Sequence, residues 1–330
     1  MALAFSMNKL SSWSGQCRAF LEMIRFSHTL FALPFALAGA VLAWRAAGRT
    51  GAFEIFIDVA GLVPCMILAR SFAMAFNRLA DRDIDAQNPR TQKRHLPAGL
   101  LSVKAVTFFA VLCGAGFVIA TLHFWVWNNN LLPFYLSVPV LLFIAMYSLT
   151  KRFTALCHVW LGLSLMLAPI ASWIAITGGF AWPPVVLGLA VLFWVTGFDI
   201  LYATQDVDFD RKAKLHSVPA ALGIPMALRV AFICHMIMLL CLAALFYTAH
   251  LGPVYLVGLI LVAVLLCYQH AIVKPDDLSR VNLAFFYVNS VISIGLLVVI
   301  VLDVCLCQRT VAVSANLLDR VVWFGLVGAG

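Results

Sequence analysis

Half of the 14 acidic residues in this 330-residue chain fall in two short stretches: Asp81, Asp83 and Asp85, then Asp199, Asp206, Asp208 and Asp210. On a helix, residues four apart advance by about 40°, so Asn77, Asp81 and Asp85 share one stripe and Asp83 points away. Asp199, Tyr202, Asp206 and Asp210 share another if one helix runs through all four, and Asp208 points away. Carboxylates on one face repel each other unless a hard cation sits among them. Mg²⁺ is the natural choice, because it takes one or two carboxylates together with phosphate oxygens and water. Each cluster runs directly into a basic loop. Arg90, Lys93 and Arg94 follow the first in the segment Asn88-Pro89-Arg90-Thr91-Gln92-Lys93-Arg94-His95-Leu96-Pro97-Ala98-Gly99, and Arg211, Lys212 and Lys214 follow the second. Cation-holding carboxylates beside guanidinium and ammonium groups are the parts of a diphosphate site. A solvated acidic helix end is the simpler reading of either cluster alone; the repetition of acidic helix end, basic loop and turn residues argues against it.

The elements that must position these groups are membrane helices. Hydrophobic residues make up 64% of the chain and charged residues 11%, with a mean hydropathy of +1.01, which excludes an ordinary soluble core. Apolar stretches near 27–47, 53–76, 103–122, 131–149, 154–177, 184–205, 225–248, 252–273 and 281–304 are each long enough to cross about 30 Å of hydrocarbon. The expected fold is therefore an all-α polytopic membrane protein of about nine helices around a central cavity open to the cytoplasmic side. With a cytoplasmic amino terminus, most Lys and Arg fall in inside loops, and the outer loops around 123–130, 178–184 and 250–253 carry none. Both acidic clusters then face the cytoplasm, where a charge avoids the roughly 2.5–3.5 kcal/mol cost of the bilayer centre. The net charge of +8 suits anionic lipid rather than nucleic acid. Nine cysteines without metal spacing read as small apolar residues. Residues 1–24 have no signal-peptide pattern and form a cytoplasmic or interfacial segment, so the first span is the expected insertion signal. Residues 25–305 form the membrane domain, and 306–330 a tail of mixed pattern with no assigned role.

Taken together, Asn77-Arg78-Leu79-Ala80-Asp81-Arg82-Asp83-Ile84-Asp85, the Arg94-x2-Pro97-x-Gly99 loop, Lys151-Arg152-Phe153-Thr154 and Tyr202-Ala203-x-Gln205-Asp206-x3-Asp210 resemble the UbiA-type intramembrane aromatic prenyltransferases. The run Arg25-Phe26-Ser27-His28-Thr29-Leu30-Phe31-Ala32-Leu33-Pro34-Phe35 is similar to the quinone-forming branch. The resemblance implies Mg²⁺-dependent transfer of a polyprenyl group from its diphosphate to an aromatic acid, 4-hydroxybenzoate first and 1,4-dihydroxy-6-naphthoate as the alternative, in ubiquinone or menaquinone biosynthesis. It implies metal and diphosphate binding by Asn77, Asp81, Asp85, Asp206 and Asp210, with Arg152 near the substrate. Arg25, Lys93, Arg94, Lys151 and Tyr202 join them as substrate-binding residues. The implied setting is a bacterial inner membrane, with no obligatory protein partner.

The chemistry expected of such a site is loss of diphosphate from an allylic lipid and attack by a phenol carbon ortho to a hydroxyl. Asp199 or Asp206 would take the ring proton, and Arg152 or Arg25 would hold the aromatic carboxylate. Aromatic faces would shield the allylic cation. His158, His235 and His270 stand isolated in apolar surroundings and read as packing histidines. Asn282 and Asn289 share a face and are expected to bond between helices. A cation-coupled transporter would also carry intramembrane acids, but nearer the midplane on interrupted helices.

Overall fold

The structure, a computed structural model, describes residues 13–24 and 32–306. A short amphipathic helix, α1 (Trp13–Met23), precedes α2 (Leu33–Ala46), α3 (Ala52–Ala80) and the six-residue α4 (Arg82–Gln87). Then come α5 (Val103–Asn128), α6 (Leu132–Thr150), α7 (Cys157–Thr177), α8 (Trp182–Ala203), the short α9 (Val207–Lys212) and α10 (Val218–Leu222), α11 (Ile224–Thr248), α12 (Pro253–Ile272) and α13 (Val281–Leu306). Among the described residues, eight helices are long and apolar enough to cross a membrane. The expected first span is described from Ala32 and is helical from Leu33, and the 14 residues of α2 cover about 21 Å at 1.5 Å per residue. Arg25 and His28 lie outside the described residues.

The long spans alternate in direction, which brings the two acidic clusters and every long connection to one end of the bundle. The connections at the other end, 47–51, 129–131, 178–181 and 249–252, are short. A polar plug holds that end: the fully buried Asp58 accepts from Arg49 at 2.8 Å, Trp44 at 2.8 Å and Asn128 at 2.9 Å, and Arg49 also reaches the carbonyl of Ile176. Sharing this α3 carboxylate among donors from α2, the loop after it and α5 satisfies a charge that burial alone would penalise.

Helix breaks set the acid-bearing end. Helix α3 stops at Asp81 (φ −92°, ψ 7°) before α4 resumes at Arg82. Helix α8 tightens into a 3₁₀ turn at Thr204–Asp206, where the Thr204 hydroxyl bonds back to the Leu201 carbonyl at 2.7 Å. Each acidic motif therefore straddles a break rather than continuing one straight stripe. Helix α1 packs Ala19 and Met23 against Ala75, Leu96 and Val106, covering the loop beside α3.

Helices α7 and α8 approach each other closely, in the small-residue manner of membrane helix pairs. A Cβ built at Gly162 would lie 2.5 Å from the Leu192 carbonyl oxygen and 2.7 Å from the Thr196 hydroxyl. No rotamer change relieves the backbone contact, so Gly162→Ala is expected to push the helices apart and lower stability by about 1–3 kcal/mol. Thermal unfolding in detergent, followed by size-exclusion fluorescence, reads this as a lower midpoint; an unchanged midpoint would show that the pair is free to relax.

Candidate active site

The acidic motifs meet across the bundle through cations supplied by the loop after α4. Arg94 donates to both oxygens of Asp85 at 2.7 and 2.8 Å, with Arg78 at 3.9 Å. Arg90 donates to Asp206 through Nε at 2.8 Å and also through Nη2, and Asn88 adds a bond at 3.2 Å. One loop thus holds a carboxylate of each motif. Asp210, fully buried, lies 2.7 Å from Lys151 Nζ and accepts from Ser217 at 2.8 Å. Asp81 accepts from Asn77 at 2.8 Å and has Arg152 at 3.9 Å. Asp83, paired with Arg82, and Asp208 are both exposed, as helical phase predicts.

Burial, reinforced by the neighbouring charge of Asp85, pushes the Asp81 carboxyl up to about 6. The donor set is all oxygen and suits a hard cation. Among the described residues no three acidic, thiol or imidazole groups converge as one metal cage. A cation here would rest on one or two carboxylates and draw its other ligands from phosphate and water, which is how Mg²⁺ is ordinarily bound.

Beneath this polar rim lies a cavity of about 510 Å³ that runs from Asp81, Asp85 and Asp206 inward to Phe117, Phe124 and Ile174. Its walls change from charged to apolar with depth. Two turns inward from Asn77, on the same face of α3, Arg70 also lines the cavity, and its enclosed Nε has no hydrogen-bond partner. An enclosed guanidinium nitrogen left unbonded is costly, and it fits an incoming carboxylate. Asp199 faces the same space with His158 at 2.7 Å. Tyr202 stacks on Phe285 with ring centroids 4.2 Å apart, and Phe198 meets Phe285 edge-on at 5.3 Å. A π-helical turn at Ala284–Val288 accompanies Phe285 at this wall.

Most of the sequence-derived residues come together here. Asn77, Asp81, Asp85, Asp206, Arg94, Lys151, Asp199 and Tyr202 line the cavity; Asp210 sits just behind, bridged by Lys151. Lys93 is exposed and lines a second, basic pocket of about 450 Å³ above the rim, with Arg78, Arg90, Arg94 and His95. Arg152 is half-exposed on the outer side of Asp81, bonded to the Ala80 carbonyl, and Arg70, not Arg152, stands inside the cavity. Of the three histidines read as packing residues, one reaches the cavity wall and two keep a packing role. His158 bonds Asp199, while His235 and His270 bond each other at 2.8 Å. Asn289 accepts from Trp194 across helices at 3.0 Å. Arg70 and His158 escaped sequence reasoning because each is a single polar residue in an apolar run, with a partner or cavity that only the fold supplies.

Comparison with known proteins places these features. The model of the UbiA prenyltransferase family matches residues 32–291. The 4-hydroxybenzoate octaprenyltransferase of Tolumonas auensis is 32% identical over 248 residues, covering 74% of this chain and 83% of that protein. The apo structure of a UbiA homolog from Aeropyrum pernix K1 superposes with a TM-score of 0.72 at 28% identity, covering 84% of this chain and 98% of that one. A UbiA homolog from Archaeoglobus fulgidus, solved bound to GPP and Mg²⁺, shares the fold with a TM-score of 0.63 at 19% identity, over 86% and 99% of the two chains.

The raised Asp81 carboxyl carries a stability cost. A group held at about 6 when folded against an ordinary 3.8 opposes folding by up to about 3 kcal/mol wherever it must ionise, fully above pH 6 and not at all below 3.8. Asp81→Asn, assayed without divalent cations, is expected to raise the thermal midpoint at pH 7.5 and to converge on the wild type near pH 4. A midpoint gain independent of pH would place its origin elsewhere.

Proposed function

The chain belongs to the UbiA prenyltransferase family, and we propose that it transfers a polyprenyl group from polyprenyl diphosphate to 4-hydroxybenzoate for quinone biosynthesis, its active-site end facing the cytoplasm of a bacterial inner membrane. The observation that carries this reading is the graded cavity: carboxylates and arginines at its rim, one unbonded arginine partway down and an apolar interior. The acceptor class follows the name of the relative from Tolumonas auensis and the position of Arg70.

In this reading Arg90, Arg94 and Lys151 bind the diphosphate oxygens, Arg90 and Arg94 as flat forks that match phosphate geometry. Asn77, Asp81, Asp85, Asp206 and Asp210 would hold Mg²⁺, which neutralises charge on the leaving diphosphate when bound. Phe198, Tyr202 and Phe285 present ring faces and edges beside the rim, where positive charge on the allylic carbon is stabilised and water is kept out. Arg70 takes the carboxylate of the aromatic acid and so turns its phenol end toward the rim. The polyprenyl tail follows the apolar walls and leaves into lipid, which solvates it without cost.

Membranes containing the chain, given Mg²⁺, a polyprenyl diphosphate and either 4-hydroxybenzoate or 1,4-dihydroxy-6-naphthoate, are expected to yield the prenylated benzoate by mass analysis. No prenylated product from either acceptor would sink the proposal, and product from the naphthoate alone would move it to menaquinone. In the same assay Asp81→Asn and Asp206→Asn should lose nearly all activity while Asp83→Asn and Asp208→Asn keep most; equal losses would contradict the separation of buried from exposed acids. Arg70→Gln should raise KM for the benzoate roughly 10–100-fold, the worth of a charged hydrogen bond, with KM for the diphosphate within twofold. An unchanged benzoate KM would return the carboxylate to Arg152 or Arg25.

A further inference from the structure

We propose that His158 is the positioning residue that holds Asp199 as the proton acceptor of the reaction, an inference that rests on the prenyl transfer above. His158, on the first turn of α7, is buried at 3% exposure, while Asp199 on α8 keeps 18% of its side chain open and lines the cavity. The ring nitrogens have distinct partners. Nε2 lies 3.3 Å from the backbone nitrogen of Val218. A backbone N–H can only donate, so Nε2 is the accepting nitrogen and the ring proton resides on Nδ1. Nδ1–H then donates to Asp199 Oδ2 at 2.7 Å. Among the described residues Asp199 has no other hydrogen-bond partner, which leaves Oδ1 available to the acceptor.

Val218 is itself held firmly. Its neighbour Ser217 donates to Asp210 at 2.8 Å, and the backbone N–H of His216 donates to the Lys151 carbonyl at 2.8 Å. The segment that locks the imidazole is therefore the segment that braces the second acidic motif. The distance between His158 and Asp199 depends on the close α7–α8 contact: Gly162 follows His158 by one turn, and Thr196, three residues before Asp199, lies where a Cβ on Gly162 would clash. A packing histidine would need neither a fixed tautomer nor a carboxylate open to the cavity.

The step balances as follows. The carbon–oxygen bond of the allylic diphosphate breaks and its electron pair leaves with the diphosphate. A π pair of the phenol forms the new carbon–carbon bond ortho to the hydroxyl. The proton on that ring carbon passes to Asp199 Oδ1, its bonding pair restores the aromatic ring, and the protonated carboxyl later returns the proton to water. Hydrogen bonding to Oδ2 keeps the carboxylate turned so that Oδ1 meets the ring.

Two amides separate this role from packing. An Asn at 158 can present its NH₂ near the place of Nδ1–H, whereas a Gln reaches toward the place of Nε2. His158→Asn is expected to stay within about fivefold of wild-type kcat, and His158→Gln to fall about 50-fold or more, each with KM for polyprenyl diphosphate within twofold. Val218→Pro removes the N–H that fixes the tautomer and exchanges one apolar side chain packed on the Ile200 cluster for another, at the first position of α10, where proline is tolerated, after an extended Ser217 (φ −139°, ψ 155°). It is expected to lower kcat about five- to tenfold with the thermal midpoint held. Wild-type kcat in His158→Gln, or an Asn variant as slow as the Gln variant at equal thermal midpoint, would overturn the proposal, and so would wild-type kcat in Val218→Pro. Absence of product from the wild-type protein would instead sink the prenyl-transfer reading itself, so the two failures are distinct.

Discussion

The bridge from Arg90 to Asp206 is the interaction on which the rest of this site depends. It joins a loop following α4 to the turn following α8, across 116 positions of sequence, and with Arg94 on Asp85 it puts both acidic motifs under one short segment. Such pairs contribute little net stability, because desolvation of the ions nearly offsets their attraction, yet removing one partner strands a buried charge at a cost of roughly 3–5 kcal/mol. Their effect is therefore specificity of arrangement. The loop that supplies the cations is braced accordingly: Arg90 N–H donates to the Asn88 side chain at 2.9 Å, the Thr91 hydroxyl to the Asp85 carbonyl at 3.1 Å, and Gly99 takes the left-handed conformation that closes the turn (φ 69°).

A charged rim of this kind needs a scaffold that does not breathe, and the opposite end of the bundle provides it. Asp58, Arg49, Asn128 and Trp44 tie α2, α3 and α5 together, and Asn130 bonds the carbonyls of Ile174 and Ala175 at the end of α7. These bonds begin where the apolar cavity wall ends, since Phe124, Ile174 and Ala175 line the cavity. The chain thus encloses its apolar space between two polar layers of different character. The plug is satisfied internally by hydrogen bonds, whereas the rim holds groups that can exchange partners with a ligand.

The sequence made the spans and the acidic motifs legible because both are periodic: apolar runs set by bilayer thickness, and carboxylates four apart. Helical phase correctly separated Asp83 and Asp208 from their buried neighbours. The same reasoning drew continuous stripes where the chain breaks at Asp81 and Thr204, since a break depends on local capping and back-bonding that apolar periodicity does not carry. Arg152 was legible as a motif member but not as the outward-facing residue it is, because orientation at a helix end changes with each residue of the turn. Arg70 and His158 had no periodic signal at all. Their meaning lies in what the fold places opposite them: an apolar cavity for one, Asp199 and the Val218 N–H for the other.

Charge balance explains why acids and bases alternate so tightly at the rim. As the structure stands, Asp85, Asp206 and Asp210 are each countered by Arg94, Arg90 and Lys151. A diphosphate arriving alone would draw these cations to its own oxygens and leave carboxylates facing added negative charge, an arrangement penalised in so desolvated a place. A divalent cation arriving alone would compete with guanidinium groups already bound at 2.7–2.8 Å. Arrival of both lets every partner be exchanged without leaving an uncompensated charge: arginines to phosphate, carboxylates to the cation. Under the proposed prenyl transfer, the ion pairs seen here would be the resting half of that exchange. Two of the three cations, Arg90 and Arg94, come from the loop after α4, and the third, Lys151, from the carboxyl-terminal end of α6.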